Sequence, residues 1–223
     1  SQPSATGALL AWRSVFLFSG AGISFEFHVA GILGSIAEAL LVVAGQAILK
    51  DAAGATRILA VNNMGSAESS GRYVRDVAAY LRKHLESIAP QLRPRVAADP
   101  LGALVQLIER GHPATSRAPQ AMEYLTEEER RRFWDLLEYV EVFGLPYELN
   151  TQILGSRDCW THALYELLVV DRESGEREAA GFGGRYDALM SRLARAPYPA
   201  ATLSIQVESK GATIPKRQVR GVP

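Results

Sequence analysis

The stretch AAGFGGRYDAL, residues 179–189, places two adjacent glycines, an arginine, a tyrosine and an aspartate directly after a strand-like segment. Because glycine has no Cβ, the glycine pair allows the backbone to approach a ligand closely. The arginine beside it offers a planar fork of hydrogen-bond donors, and the aspartate offers an acceptor. This pattern predicts a binding site for a small polar ligand, although a Gly-Gly pair before charged residues also occurs in ordinary turns. The predicted contacts are Gly183, Gly184, Arg185, Tyr186 and Asp187.

Hydrophobic periodicity around this stretch predicts helices packed on a mainly antiparallel sheet. Short segments rich in aromatic and β-branched residues between turn-forming residues are typical of strands. They cover residues 12–18, 24–29, 57–62, 147–154, 161–170, 178–183 and 201–207. Amphipathic helices are predicted over residues 36–49, 69–87, 127–143 and 186–195. Capping boxes are predicted for two of them, formed by Ser35 with Glu38 and by Thr126 with Glu129. The fold class is therefore α+β, with helices flanking an antiparallel sheet.

The domain organisation follows from chain length and from proline spacing. A chain of 223 residues fits one large domain, which we expect over residues 8–223. Five prolines between residues 89 and 119 break helices into short pieces, so we expect an inserted helical lobe over residues 66–120. Residues 1–7 are small and polar and are expected to be a disordered terminus.

Composition limits the classes of function. The 24 Lys and Arg residues only balance the 24 Asp and Glu residues, so any contact with tRNA would need a local basic patch. The single cysteine, Cys159, excludes an internal disulfide and favours a reducing, cytoplasmic location. The four histidines lack metal-ligand spacing, so no metal site is predicted. The apolar run 32–49 is interrupted by Glu38 and Gln46, which predicts a buried or amphipathic helix and no membrane contact.

The glycine-rich stretch resembles the GGRYDGL signature of the histidyl-tRNA synthetase catalytic core. The segments RYVRDVAAYLRKHL, residues 72–85, and APQAMEYLTEEERRRFWDLLEYVEVFGLPYELN, residues 118–150, resemble the same family in the same order. The resemblance extends over residues 15–207. It implies a class II aminoacyl-tRNA synthetase core, a homodimer, a pocket for a small-molecule amino acid, and ATP and Mg²⁺ if the protein is active.

The arginines that this family uses to bind ATP are missing at the matching positions. In the segment ILGSRDCWTHALYE, residues 153–166, aligning the final Tyr-Glu with the family's Phe-Glu places Gly155 where a catalytic arginine stands and retains Asp158. On a predicted strand Arg157 would share a face with position 155, which makes it the candidate for a shifted catalytic arginine. In the segment 201–209, which resembles the third family signature, serine follows glutamate where arginine is expected.

The second family signature is also incomplete. The segment FEFHVAG, residues 25–31, keeps Glu26 and His28, which the resemblance assigns to ligand binding together with Asp158. The preceding loop, residues 19–24, has no arginine. Arg13 is therefore the only nearby candidate for binding a nucleotide.

These losses predict a degenerate paralogue. Each missing cation would remove a few kcal/mol of stabilisation from a phosphoryl-transfer transition state, on the order of the loss of one preorganised donor. We expect a protein that binds histidine or a related small molecule, with weak or no aminoacylation. The alternatives are a regulatory subunit of ATP phosphoribosyltransferase, a fragment of an active histidine-tRNA ligase, and a non-catalytic protein-binding scaffold.

Overall fold

A computed structural model describes residues 9–13, 22–49 and 55–208 of the chain. Within these residues the sheet has seven strands: β1 (Leu9–Arg13), β2 (Gly22–Ala30), β3 (Ala55–Asn63), β4 (Tyr147–Leu149), β5 (Thr161–Asp171), β6 (Arg177–Arg185) and β7 (Ala200–Glu208). The helices are α1 (Ile36–Ile48), α2 (Ala67–Lys83), α3 (Arg93–Ala98), α4 (Pro100–Glu109), α5 (Glu127–Val142) and α6 (Asp187–Ala194). Short 3₁₀ turns lie at Leu85–Ser87, Pro90–Leu92, Pro113–Arg117 and Ala121–Tyr124.

The sheet is antiparallel at every pairing except one. Its strand order is β1-β2-β7-β6-β5-β3-β4, and only the edge pair β3–β4 is parallel. Strands β5 and β6 form a hairpin with a polar turn at residues 171–176, as the sequence predicts. The predicted α+β class, a mainly antiparallel sheet with flanking helices, is confirmed.

Two hydrophobic clusters lie on opposite faces of the sheet. The first joins α1 and α5 to residues of β2, β3, β5 and β7, including Val29, Leu203 and Ile205. The second joins α2, α3 and α4 to residues of β3 and β5, including Ala60 and Leu164. We call residues 67–124, which carry these three helices and the 3₁₀ turns, the helical lobe. It packs over the β3–β5 end of the sheet and contributes no residue to the first cluster except Met122 at its margin.

The capping box at the start of α5 forms as predicted. The Thr126 hydroxyl accepts a hydrogen bond from the Glu129 amide at 3.2 Å, and the Glu129 carboxylate accepts one from the Thr126 amide at 2.7 Å. The same carboxylate also accepts bonds from the Ser66 amide and the Ser69 hydroxyl, at 2.6 and 2.7 Å. Glu129 therefore joins the start of α5 to the start of α2.

The capping box predicted for α1 is wrong. Ser35 precedes the helix, but its hydroxyl donates to the Arg132 carbonyl and caps no amide of α1. Glu38 does not reach back to Ser35, because its carboxylate is bonded to Arg185 in the interior. A buried guanidinium is a stronger partner for a carboxylate than a solvated helix amide.

Two further predictions differ from the structure. The predicted strand 147–154 ends at residue 149, and residues 150–160 form turns and irregular backbone. Residues 155 and 157 therefore do not alternate along a strand.

Residues 1–7 and 14–21, where the predicted terminus and part of the first hairpin fall, lie outside the described residues. Within the described part of the chain, no helix is both long enough and apolar enough to cross a bilayer.

Candidate functional site

One face of the sheet carries a group of polar side chains on four neighbouring strands, β2, β7, β6 and β5. Phe25 and Phe27 of β2 pack against the first cluster, and Leu203 and Ile205 of β7 belong to it. Because successive side chains of a strand point to opposite faces, the residues between them point away from that cluster. We call this surface the polar face. Its partly exposed residues are Ser24, Glu26, His28, Glu166, Phe182, Thr202 and Ser204.

The strand register places these side chains in rows. Glu26 is directly opposite Ser204, and Ser204 is directly opposite Phe182. Phe182 is in turn opposite Glu166. With neighbouring strands about 4.8 Å apart, the backbone positions of Glu26 and Glu166 are separated by roughly 14 Å, a span comparable to the length of an amino acid plus the two side chains.

Glu166 is the most unusual residue of the polar face. It stands inside an otherwise apolar strand segment and is opposite Ala60 on one side and Phe182 on the other. Burial alone raises the pKa of its carboxyl group above the ordinary value. A glutamate interrupting the apolar run ALYELLVV was the sequence signal for this residue, which the sequence prediction did not include among the site residues.

His28 and Tyr186 meet at one edge of the polar face. His28 Nδ1 and the Tyr186 hydroxyl are 3.1 Å apart, and the rings contact edge to face with centroids 5.8 Å apart. Burial, followed by the proximity of the Cys159 thiol, raises the pKa of Tyr186. Both residues are predicted ligand contacts, and the structure brings them together.

The wall next to this pair is formed by the irregular segment before β5. Trp160 packs edge to face against Phe182, with ring centroids 5.3 Å apart and an interplanar angle of 87°. The Cys159 thiol beside it has a pKa raised by burial, an effect that Arg192 of α6 opposes. The polar face is therefore bounded by aromatic rings on the side of the helical lobe.

The two signature glycines are required by the sheet itself. A Cβ at Gly184 would lie 2.6 Å from Leu164 Cδ2 and 2.7 Å from the Ala163 carbonyl. A Cβ at Gly183 would collide with the Thr202 carbonyl and lie 2.6 Å from the Tyr165 ring. Both glycines thus permit close contact between strands, and contact with a ligand stays a prediction.

Arg185 lies on the opposite side of the sheet from the polar face. Its side chain has no exposed surface, and it donates to both carboxylate oxygens of Glu38, from Nε at 2.8 Å and Nη2 at 2.7 Å. The Ile32 and Gly34 carbonyls accept further bonds at 3.1 to 3.3 Å. Although burial alone would lower the pKa of Arg185, the bonds with Glu38 raise it.

Asp187 continues this interior network. Its Oδ1 accepts a hydrogen bond from the Ala200 amide at 2.7 Å and lies 3.3 Å from Arg185 Nη1. The residue is the first of α6 rather than its cap. Arg185 and Asp187 together therefore fix the end of β6, the start of α1 and the start of β7, and through that geometry they place Tyr186 on the polar face.

Arg157 and Asp158 lie in a different region. Arg157 Nε donates to the Ser70 hydroxyl at 3.1 Å and its Nη2 donates to the Ala67 carbonyl at 2.9 Å, so the guanidinium is held against the start of α2. Asp158 is exposed and lines a cleft of about 530 Å³ between residues 154–158 and α4. Neither side chain has a described contact with Glu26 or His28.

Arg13 is opposite Glu26 in the β1–β2 register. Its side chain lies outside the described part of the structure, so its predicted contact with a nucleotide stays a prediction.

A second polar cluster lies at the start of β5, against helices α1 and α5. The backbone of His162 has a φ of 53°, a left-handed conformation that costs free energy for a residue with a Cβ. Burial, followed by the nearby Arg132, lowers the pKa of its imidazole to about 4. Among the described residues, His162 Nδ1 has no hydrogen-bond partner. No pattern in the sequence indicates this strained position.

Comparison with known proteins supports the fold and the resemblance. The histidine-tRNA ligase of Cyanothece sp. strain PCC 7425 is 29% identical over 193 residues, which cover 84% of this chain and 44% of that protein. Apo S. aureus histidyl-tRNA synthetase matches 92% of this chain and 50% of its own, with a TM-score of 0.69 and 18% identity.

This chain has a histidyl-tRNA-synthetase-like core. A structure described as an ATP phosphoribosyltransferase regulatory subunit/histidyl-tRNA synthetase from Bacillus halodurans C also matches the core, with a TM-score of 0.53 and 16% identity over 92% of this chain and 57% of its own. No protein-family model matches the sequence. The histidyl-tRNA-synthetase-like core spans less than half the length of the curated ligases that it matches.

Proposed function

We propose that this histidyl-tRNA-synthetase-like core is a degenerate paralogue that binds histidine or a related small molecule on the polar face and has weak or no aminoacylation activity. The observation that carries the proposal is the environment of Gly155, which stands where the resemblance expects a catalytic arginine. A Cβ at this position would lie 2.5 Å from Trp160 Cδ1 and 2.9 Å from Cγ. The Trp160 ring therefore fills the space through which an arginine side chain would leave the backbone.

Arg157 does not fit the role of a shifted substitute. Its guanidinium is held by the Ser70 hydroxyl and the Ala67 carbonyl. Gly71 makes this position possible, because a Cβ there would lie 3.1 Å from Arg157 Nη2. An arginine that positions the start of α2 would have to release two hydrogen bonds before it could reach a phosphate.

The described residues of the polar face also do not fit ATP with Mg²⁺. A triphosphate needs several cations around its oxygens. The side chains that the structure describes on this face include two carboxylates, Glu26 and Glu166, and none of these described side chains is an arginine or a lysine. Arg13, opposite Glu26, is the one cation that the register places beside this face, and its side chain lies outside the described part of the structure.

The polar face has groups that suit the binding of an amino acid. Carboxylates attract the α-ammonium group of an amino acid, and His28 with Tyr186 offers a hydrogen-bonding pair at 3.1 Å. Aromatic rings beside them exclude water from one side. These features favour a small cationic ligand over a nucleotide.

Isothermal titration of the purified chain with L-histidine, followed by a pyrophosphate-release assay with ATP, tests the proposal. We expect histidine binding that weakens in Glu26→Gln and is unchanged in the matched control Glu138→Gln, whose carboxylate is exposed on α5. Histidine-dependent pyrophosphate release at the rate of an ordinary synthetase would refute the loss of activity. Absence of histidine binding would refute the ligand.

The second candidate is a regulatory subunit of ATP phosphoribosyltransferase. The likeness to the Bacillus halodurans structure favours it, since that protein is described as an ATP phosphoribosyltransferase regulatory subunit/histidyl-tRNA synthetase. Under this alternative the core senses histidine and charges no tRNA. Co-elution with a phosphoribosyltransferase on size-exclusion chromatography, abolished or enhanced by histidine, would support this candidate over a free-standing paralogue.

Assembly, location and domain organisation complete the proposal. We infer a cytoplasmic homodimer in which residues 8–223 form one domain, with an insertion at 66–120. Because the chain spans less than half of its curated relatives, a fragment of an active ligase is the competing explanation for its weak ATP site. Sedimentation equilibrium and sequencing of the full reading frame test these points.

A further inference from the structure

Glu166 is a carboxylate of the polar face that has no counter-charge among the described residues. Among the described residues, Glu166 takes part in no ion pair and its side chain in no hydrogen bond. The exposed pair Arg177–Glu148 and the interior pair Arg185–Glu38 use carboxylates elsewhere. Burial is the only cause that raises the pKa of Glu166, so no neighbouring charge compensates its removal from water.

The four nearest neighbours of Glu166 on its own face of the sheet are apolar. Ala60 and Phe182 face it across the two neighbouring strands, and Leu164 and Leu168 flank it along β5 on the same face. Ala60, Leu164 and Leu168 are buried in the second hydrophobic cluster, beneath the helical lobe. Glu166 itself remains partly exposed, so a ligand can reach it from the open side.

An aromatic wall stands on that open side. Phe182 is directly opposite Glu166, and Trp160 packs edge to face on Phe182 at 5.3 Å. Aromatic faces attract cations, and the attraction increases where water is excluded. A carboxylate and an aromatic pair at the edge of an apolar cluster are the recognition elements for an organic cation.

We propose that Glu166, Phe182 and Trp160 form a subsite for an ammonium group of the ligand. The proposal rests on the proposed function and names the ligand group that the polar face recognises at its β5 end. Ser204, in the same row, lies between this subsite and Glu26 and separates it from the second carboxylate. A ligand with two cationic ends would extend along the row.

The test uses histamine, which carries an ammonium group and an imidazole but no carboxylate, and imidazole propionate, which lacks the ammonium group. Binding is followed through the indole N–H resonance of Trp160, assigned with Trp160→Phe. Histamine should shift this resonance in the wild type and in the control Glu138→Gln. Its affinity should fall about 10- to 100-fold in Glu166→Gln, the loss expected for one charge-assisted contact, and imidazole propionate should bind weakly to all three proteins.

Unchanged histamine affinity in Glu166→Gln, or no shift of the Trp160 resonance in the wild type, overturns the subsite. If Glu166→Gln does not fold, the ¹³C carboxyl resonance of Glu166 in the wild type replaces it, and histamine must lower the pKa of that carboxyl. Histamine binding without histidine binding would refute histidine as the ligand of the polar face and keep the subsite. Histidine binding of equal strength in Glu166→Gln would do the reverse.

Discussion

Replacing Arg185 with methionine should destabilise the protein severely, because it leaves a buried carboxylate without its partner. Arg185 has no exposed surface and Glu38 is 2% exposed. The two hydrogen bonds between them, at 2.8 and 2.7 Å, are the main compensation for the burial of both charges. After the substitution the nearest cation to Glu38 is Arg132, whose Nη2 lies 3.9 Å from Oε1.

Removal of one partner from a buried ion pair costs about 3 to 5 kcal/mol. A domain has a total stability of roughly 5 to 15 kcal/mol, so the substitution removes a large share of it. With an m-value of about 2 kcal/mol/M, the midpoint of urea unfolding should fall by roughly 1.5 to 2.5 M. Circular dichroism during urea titration measures this shift.

The controls separate the buried charge from a general effect of losing arginine. Arg177→Met breaks the exposed pair with Glu148, which has the same 2.7 Å separation, and should cost about 1 kcal/mol or less. The double variant Arg185→Met with Glu38→Met should recover part of the lost stability, because the Glu38 carboxylate is no longer buried without its partner. Recovery is incomplete, because Asp187 and Arg132 each lose an ion-pair partner in the double variant. The reasoning fails if Arg185→Met costs no more than Arg177→Met, or if the double variant is no more stable than the single one.

Three further predictions concern Glu129, His162 and Gly155. Burial alone would raise the pKa of Glu129, but hydrogen bonds from Thr126, Ser66 and Ser69 lower it to about 2. The stabilisation of the folded state by this carboxylate, about 3 kcal/mol, is therefore present above pH 4.5 and lost as pH falls towards 2. Urea titrations at several pH values should show this dependence in the wild type and not in Glu129→Gln. Burial, followed by the nearby Arg132, lowers the pKa of His162 to about 4, so the folded state loses about 3 kcal/mol of stability as pH falls from 6.5 to 4. In thermal unfolding experiments, the stability of His162→Asn should depend less on pH over that range than the stability of the wild type. An unchanged pH dependence would contradict the assignment. Gly155→Arg should destabilise the protein by about 1 to 3 kcal/mol and restore no pyrophosphate release, because the new Cβ lies 2.5 Å from Trp160 Cδ1; if Gly155→Arg alone gave an active enzyme, the steric argument would be wrong.

The sequence predicts the elements of this fold well because the signals are local. The period of apolar residues and the Thr126–Glu129 capping box define α5, and alternation defines β5, β6 and β7. The failure at Ser35 has a physical cause. Glu38 has the spacing of a capping box, but a partner 147 residues away along the chain binds its carboxylate more strongly than a helix amide would.

The candidate site is harder to predict, because the residue types of the signature do not reveal which face of the sheet each side chain takes. Tyr186 and His28 meet on the polar face, as one site requires. Arg185, next in sequence to Tyr186, points to the opposite side. The apolar neighbours of Glu166 lie on the two adjacent strands, so they can be identified only when the register of those strands is known. The periodicity of the sequence does not give this register.

The structural roles of the residues in the GGRYD motif have an evolutionary consequence. Its glycines permit close contact between strands, and its arginine and aspartate form interior hydrogen bonds on the side of the sheet opposite the polar face. Loss of these residues would therefore harm folding whether or not any reaction takes place. Such a motif can outlast the chemistry it once accompanied. Its presence in a genome sequence is therefore a better marker of shared ancestry than of a working ligase.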